Sequence, residues 1–421
     1  MSVCRAADEQ TEILNRARRN VATQLARSAN YTCVEKIDRE YYSEKRDLLV
    51  GCAYESQTPQ RREIMHDRLH MDLAVSEGGE IYGWHGEPKL SSSPIVQMVQ
   101  SGPVSSGSFV GYLRNIFLVP GTEFTYRGEG ELAGLKIYKF DYHIPLASSG
   151  FMLQGRGKAS RVPFHGSFTI SAASDQLTTL QVAADGIPAD SQLCSAETEI
   201  TYQMVNISGT NSLIPATFIL RVADENHIYT VSRSEYSQCR EFRGESTLRF
   251  DADEGAPEPP PEQRGAEEWL PAGIPLRVRL ETPIDDRTSY TGDAVEGVLQ
   301  DTVRIPGTAT TIPKGAVLRG IITNLVLHDE PWRHYRISIQ FERLTYGNHS
   351  LLLKATVKTP LKDARTLHDI YGPALPSTVA EEYHKGVLVV RSAHFRLDRS
   401  LSAQWVTAAP PESLAGGPQV H

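Results

Sequence analysis

No stretch of this sequence stays apolar for the roughly 20 residues that a membrane-spanning helix needs. Basic excess is missing as well: 43 Lys and Arg stand against 51 Asp and Glu, a net charge of −8, the wrong sign for a face that grips nucleic acid. Cysteine is scarce, five residues in 421, and no two stand as Cys-x-x-Cys, which argues against a zinc ribbon or a thioredoxin-type redox pair. The common catalytic signatures are absent too. There is no Gly-x-Ser-x-Gly elbow, no His-Glu-x-x-His and no Walker loop. "QGRGKAS" (154–160) and "GEGELAG" (128–134) lack the spacing that cradles a phosphate or a dinucleotide, and read as turns. The chain is therefore expected to be no enzyme and to need no cofactor or metal.

What is present is the composition of a soluble globular protein, 40% hydrophobic and 22% charged, at a length that asks for more than one core. Acid concentrates in "FDADEGAPEPPPEQRGAEEW" (250–269). That segment predicts a solvated linker over 251–268, between a first domain over 7–250 and a second over 269–408. Residues 359–384 have little periodicity and read as a loop inserted in the second domain; 409–421 read as a disordered tail.

The first domain opens with "ADEQTEILNRARRNVATQLARS" (7–28), which sets Leu14, Ala17, Val21 and Leu25 on one helical stripe. Period two then takes over. "YTCVEKIDREYY", "RDLLVGCAYES" and "RREIMHDRLHMDLAVSEG" read as strands. In the third of these Leu69, Met71, Leu73 and Val75 point one way, and His70, Asp72, Ala74 and Ser76 the other. Gly78-Gly79 supplies a tight turn and "EIYGW" returns. His66 and His70, four apart, would suit a metal on a helix; on a strand the spacing separates them by about 13 Å. The histidines and acids are thus expected to face solvent.

Two helical segments follow, "SSSPIVQMVQSG" and "SGSFVGYLRNIFL" (106–118), the second with Phe109, Tyr112, Leu113, Ile116 and Phe117 at helical spacing and Ser106 or Ser108 as cap. Strands resume at "KIYKFDYHIP", where Tyr138, Phe140, Tyr142 and Ile144 share a face. "FHGSFTISAASDQLTTLQVAAD" reads as a hairpin, and three long strands complete the domain. The expected class is α+β, one large curved antiparallel sheet wrapped around helices. Beyond the linker, short strands separated by turn residues predict a small all-β barrel.

Setting aside Cys4, four cysteines remain in the first domain. Cys33–Cys52 and Cys194–Cys239 are the favoured pairings, each facing across neighbouring strands; four reduced, buried thiols are the alternative. Disulfides would imply an oxidising compartment. "MSVCRAADEQ" has no apolar core of a signal peptide. A periplasmic or envelope protein whose given start lies downstream of a removed signal is expected, or a cytoplasmic one if that start is genuine.

The amphipathic helix, "NYTCVEKIDREYY", "DRLHMDLAVSEGGEIYGW", the Phe/Tyr-rich segment 108–118 and "FHGSFTISAASDQLTTLQV", in that order, resemble the outer-membrane lipoprotein carrier (LolA-like) fold over residues 10–250. That resemblance implies handling of acyl chains or lipoproteins in the periplasm. "LPAGIPLRVRLETPI", "IPKGAVLRGIITNLV" and "GVLVVRSAHFRLDRSLSAQWV" are similar to the TrbI-type periplasmic β-barrel, which implies docking to envelope proteins. The expected function is a non-catalytic envelope protein. It would bind an apolar ligand, a lipid or a lipidated partner, in a cavity lined by Leu69, Met71, Leu73, Phe109, Tyr112, Leu113, Phe117, Tyr138 and Phe140, and its barrel would hold an envelope partner. A purely structural adaptor is the second reading. A hydrolase built on His165 and Asp141 is the third.

Overall fold

The computed structural model describes residues 2–27, 30–44, 52, 61–76, 79–87, 90, 94–99, 101–241, 268–330, 332–360, 386–399 and 401–409. The expected strand at 46–56 (Cys52 apart), nearly all of the linker, most of the 359–384 loop and most of the tail lie outside these residues. The chain divides into two units, Met1–Gly244 and Glu245–His421.

The first unit begins with helix α1 (Ser2–Arg27), which starts earlier than the apolar stripe suggests and takes in Cys4. Strands β1 (Tyr31–Glu44), β2 (Arg61–Ser76) and β3 (Gly79–Trp84) follow. The β2–β3 turn uses Gly79 at φ +123°, a conformation that glycine adopts without strain. Two short helices come next, α2 (Ile95–Met98) and α3 (Gly111–Phe117). Apart from a 3-10 turn at Ala189–Ser191, the remaining elements are strands: β4 (Glu123–Leu132), β5 (Leu135–Ile144), the small pair β6 (Met152–Leu153) and β7 (Ser160–Arg161), then β8 (Phe164–Ser171), β9 (Leu177–Ala184), β10 (Leu193–Ile207), β11 (Thr210–Asp224) and β12 (Ile228–Glu241).

Ten of these form one antiparallel sheet in the order β3-β2-β1-β12-β11-β10-β9-β8-β5-β4. Apart from the β12–β1 seam, neighbours in the sheet are consecutive among these ten strands. At the seam the first strand pairs with the last, Tyr41 opposite Thr230 and Ile37 opposite Ser234. One face carries the core. Ile13, Ala17 and Val21 of α1 pack with Leu113, Ile116 and Phe117 of α3 on Phe140, Phe168, Leu180 and Ile200 of the sheet. Leu69, Met71, Leu73 and Phe109 belong to a second cluster on β1–β3.

The second unit contains β13 (Pro275–Leu280), β14 (Ile284–Asp285), β15 (Ala294–Leu299), β16 (Val303–Arg304), β17 (Thr311–Ile312), β18 (Val317–His328), β19 (His334–Tyr346), β20 (His349–Pro360), β21 (Val387–Val390), β22 (Arg396–Leu397) and β23 (Ser402–Thr407). Six of them close on themselves, β13-β15-β18-β19-β20-β23 and back to β13. Closure leaves these six without an open edge. Phe341 and Trp405 meet edge-on inside, 4.8 Å between ring centres.

The expected α+β class does not hold. Among the described residues strand predominates and helix is a small minority, so the protein is mostly β, with no sheet wrapped around helices. The error lies in 91–118. There α2 has four residues and α3 seven, and neither Ser106 nor Ser108 caps α3, whose N-cap is Val110 with no side-chain hydrogen bond. Gly107 takes φ +96°, which ends any helix there. The backbone on either side of Ser108 is instead held by side chains of the sheet.

Candidate functional site

The registers build a floor. Tyr41 of β1 lies opposite Thr230 of β12, Thr230 opposite Val222 of β11, and Val222 opposite Ala196 of β10. One step deeper, Leu220 lies opposite Thr198. One step towards the strand ends come Ile228, Asp224 and Leu193. Four strands about 4.8 Å apart and three such rows make a patch about 14 Å in each direction. Above it is a cavity of about 830 Å³, partly open to solvent. Its roof is made by Pro94, Ile95, Val96, Val99 and residues 101–107, by Tyr112 and Asn115 of α3, and by 150–156. The floor joins the alkyl groups of Leu193, Ala196, Leu220, Val222 and Ile228 to the hydroxyls of Thr198, Thr230 and Tyr41, with the Asp224 carboxylate at its edge.

The roof segment 101–109 is pinned by buried polar groups. Arg39, 1% exposed, donates from Nη1 to the Ser101 carbonyl at 2.8 Å. Its Nε and Nη2 donate to the two oxygens of Asp67, at 2.7 and 2.6 Å. Burial works against the Arg39 charge, but Asp67 outweighs it and the guanidinium pKa stays above its ordinary value. Farther along, the backbone N–H groups of Gly107 and Phe109 donate to Glu80, at 2.6 and 2.9 Å, and Tyr202 Oη donates to the Ser108 carbonyl at 2.9 Å. Between the pins Gly102, at φ +77°, lies directly on the Tyr41 hydroxyl; a β-carbon there would come within 1.8 Å of it.

Behind the cavity Glu35 is buried on the same face of β1, next to Ser234 and Tyr236 of β12. Burial pushes its pKa up to about 7 and Glu80 adds to the rise, against hydrogen bonds from Ser234 and Tyr236. Its Oε2 has no hydrogen-bond partner.

These findings correct the expectation that ionisable groups face only outward. His70 and Asp72 do lie on the outer face, where Asp72 pairs with His85 at 2.8 Å. Glu35, Arg39 and Asp67 lie inside, each less than 5% exposed. Alternation itself carries the signal: Asp67 has the parity of Leu69, and Glu35 and Arg39 that of Ile37.

Of the nine residues expected to line the cavity, Tyr112 borders it. Leu69, Met71, Leu73 and Phe109 sit in the β1–β3 cluster; Leu113, Phe117 and Phe140, with Tyr138 against them, sit in the α1–α3 cluster. Val222, Leu220, Ala196 and the roof residues were missed. His165 and Asp141 do not form a dyad. His165 Nδ1 is 2.8 Å from Asp185, and Asp141 pairs with Arg127, both near the solvent surface. Among the described residues no group of three or more His, Cys, Asp or Glu is placed to hold a metal ion.

All four cysteines outside α1 form disulfides, but not the pairs expected. Cys33 bonds Cys239 and Cys52 bonds Cys194. The first staples the β1–β12 seam beside a bulge between Thr32 and Val34; the second ties residue 52 to the start of β10. The expected pairs took neighbours along the chain for neighbours in the sheet.

No protein-family model matches the chain, and no curated protein matches it. Among solved structures it is similar to a DUF1329 family protein from Desulfovibrio piger, at 11% identity over 57% of this chain and 97% of the other, TM-score 0.28. A LolA superfamily protein from Nitrosomonas europaea is similar at 9% identity over 55% and 93%, TM-score 0.26. A domain described as an outer membrane lipoprotein-sorting protein, from Vibrio parahaemolyticus, is similar at 8% over 53% and 92%, TM-score 0.25. None of the three is described as a TrbI-type barrel.

Proposed function

We propose that the first unit is a non-catalytic carrier that holds one apolar ligand, a lipid or the acyl chain of a lipidated partner, in the cavity over Val222, Ala196 and Leu220. The carrying observation is the cavity itself. Its 830 Å³ falls within the roughly 300–1,000 Å³ of small-molecule sites, over the alkyl groups of Ala196, Leu220 and Val222. Each methylene moved there from water contributes about 0.8 kcal/mol, so an acyl chain supplies most of its own affinity. Tyr112 is the expected lining residue that touches the ligand; the other eight form the packed walls behind it.

Two disulfides support an oxidising compartment, and we place the protein in the periplasm or cell envelope. The closed barrel of the second unit we assign to docking an envelope protein, as the resemblance of "LPAGIPLRVRLETPI", "IPKGAVLRGIITNLV" and "GVLVVRSAHFRLDRSLSAQWV" to TrbI-type barrels implies. Native mass spectrometry of the chain expressed with a periplasmic signal and taken from the membrane fraction tests the carrier reading. The expected result is a bound species of lipid mass that dissociates on activation. Protein of bare chain mass under the same gentle conditions would favour a purely structural adaptor instead.

A further inference from the structure

The β6–β7 hairpin borders the cavity mouth, and the carrier reading gives its outer surface no role. Leu153 on its inner face is buried with Val162 and Ala196. On the other face Met152 lies opposite Arg161. Met152 is 52% exposed, as is Leu146 six residues earlier. Arg156 and Lys158 project at the hairpin tip, exposed like Arg161. Among the described residues none of the three cations is in an ion pair. From Tyr142 to Ser174 the chain contains no Asp or Glu, in a protein whose net charge is −8. Asp190 approaches the tip at Gly157 and pairs with none of them.

We propose that this hairpin is a peripheral docking surface for an anionic lipid bilayer: Leu146 and Met152 enter the headgroup region while Arg156, Lys158 and Arg161 meet lipid phosphates. Apolar side chains beside unpaired cations are the combination that holds a protein on such a surface without spanning it. Among the described residues no helix is long and apolar enough to span. Residues 150–156 belong both to this surface and to the cavity rim, so docking would set the cavity mouth against the membrane. The inference goes beyond the carrier reading and does not depend on an occupied cavity.

Flotation of the full chain with phosphatidylglycerol–phosphatidylethanolamine vesicles, against phosphatidylcholine vesicles, tests it. Binding to the anionic vesicles alone is expected, weakening as salt is raised. Each cation contributes about five-fold, so Arg156→Gln/Lys158→Gln/Arg161→Gln should lose about 100-fold in partition. Leu146→Ser/Met152→Ser should lose binding at fixed charge. These five side chains are exposed, so both variants should keep the wild-type circular dichroism. Equal binding to the two vesicle types, no binding to either, or a triple variant that binds like wild type would overturn the proposal. A chain that floats yet carries no ligand would leave it standing and count against the carrier reading alone.

Discussion

Arg39 and Asp67 form a bidentate ion pair, 2.7 and 2.6 Å, with side chains 1% and 3% exposed. It bridges β1 and β2 beneath the roof of the cavity, and the remaining guanidinium nitrogen reaches up to the Ser101 carbonyl. Removing one partner leaves the other charged and dry, which costs about 3–5 kcal/mol. Asp67→Ala is expected to lower the stability of the first unit by that amount in urea unfolding. A change under about 1 kcal/mol would mean that water reaches Arg39 freely.

Glu35 predicts an inverted pH dependence. Its pKa is about 7 in the fold against an ordinary 4.5. Between these values the folded protein keeps a proton that the unfolded chain has released. Stability therefore falls as pH rises from 4.5 to 7 and levels off above, by about 3 kcal/mol. Glu35→Gln removes the titration. It should unfold at a higher denaturant concentration than wild type at pH 8, with the slope over that window largely gone. An unchanged slope would show that Glu35 is ionised in the fold.

The Cys33–Cys239 disulfide joins residues 206 apart at the seam where the first strand meets the last. Cys33→Ser/Cys239→Ser should cost about 2–5 kcal/mol. Hydrogen exchange should rise most in β1 and β12, because the bond holds the one pair of sheet neighbours that are not consecutive among the ten strands. Uniform loosening of the whole sheet would argue against a local staple.

Alternation was enough to read most of the sheet. Leu69, Met71, Leu73 and Val75 are the buried side of β2 as their spacing dictates, and the segments read as β8 to β12 are strands. What alternation cannot supply is which strand lies beside which. The β1–β12 pairing spans nearly the whole unit, so Cys33–Cys239 escaped prediction, and with Cys33 assigned wrongly Cys52–Cys194 did too. The inward Glu35, Arg39 and Asp67 were legible by parity; the weight given to their charge hid them. Least legible was the cavity roof. The helix read over 91–102 is confined, among the described residues, to Ile95–Met98, and the course of 101–109 is set by Arg39, Glu80 and Tyr202 from distant strands. Phe109 has helical spacing to Tyr112 and Leu113 but sits before the helix, because the backbone at 107–109 is bound to Glu80.

The central claim is that the space above Val222 holds an apolar ligand. Val222→Trp would fill that space from the floor, at a residue that is partly buried and also packs against the α1–α3 cluster. Lipid co-purifying with wild type and with Val222→Trp, quantified per mole of folded protein, tests it most directly. The account predicts a clear loss of bound lipid in the variant, with the circular dichroism spectrum retained. Equal lipid in both, or none in either, would contradict it.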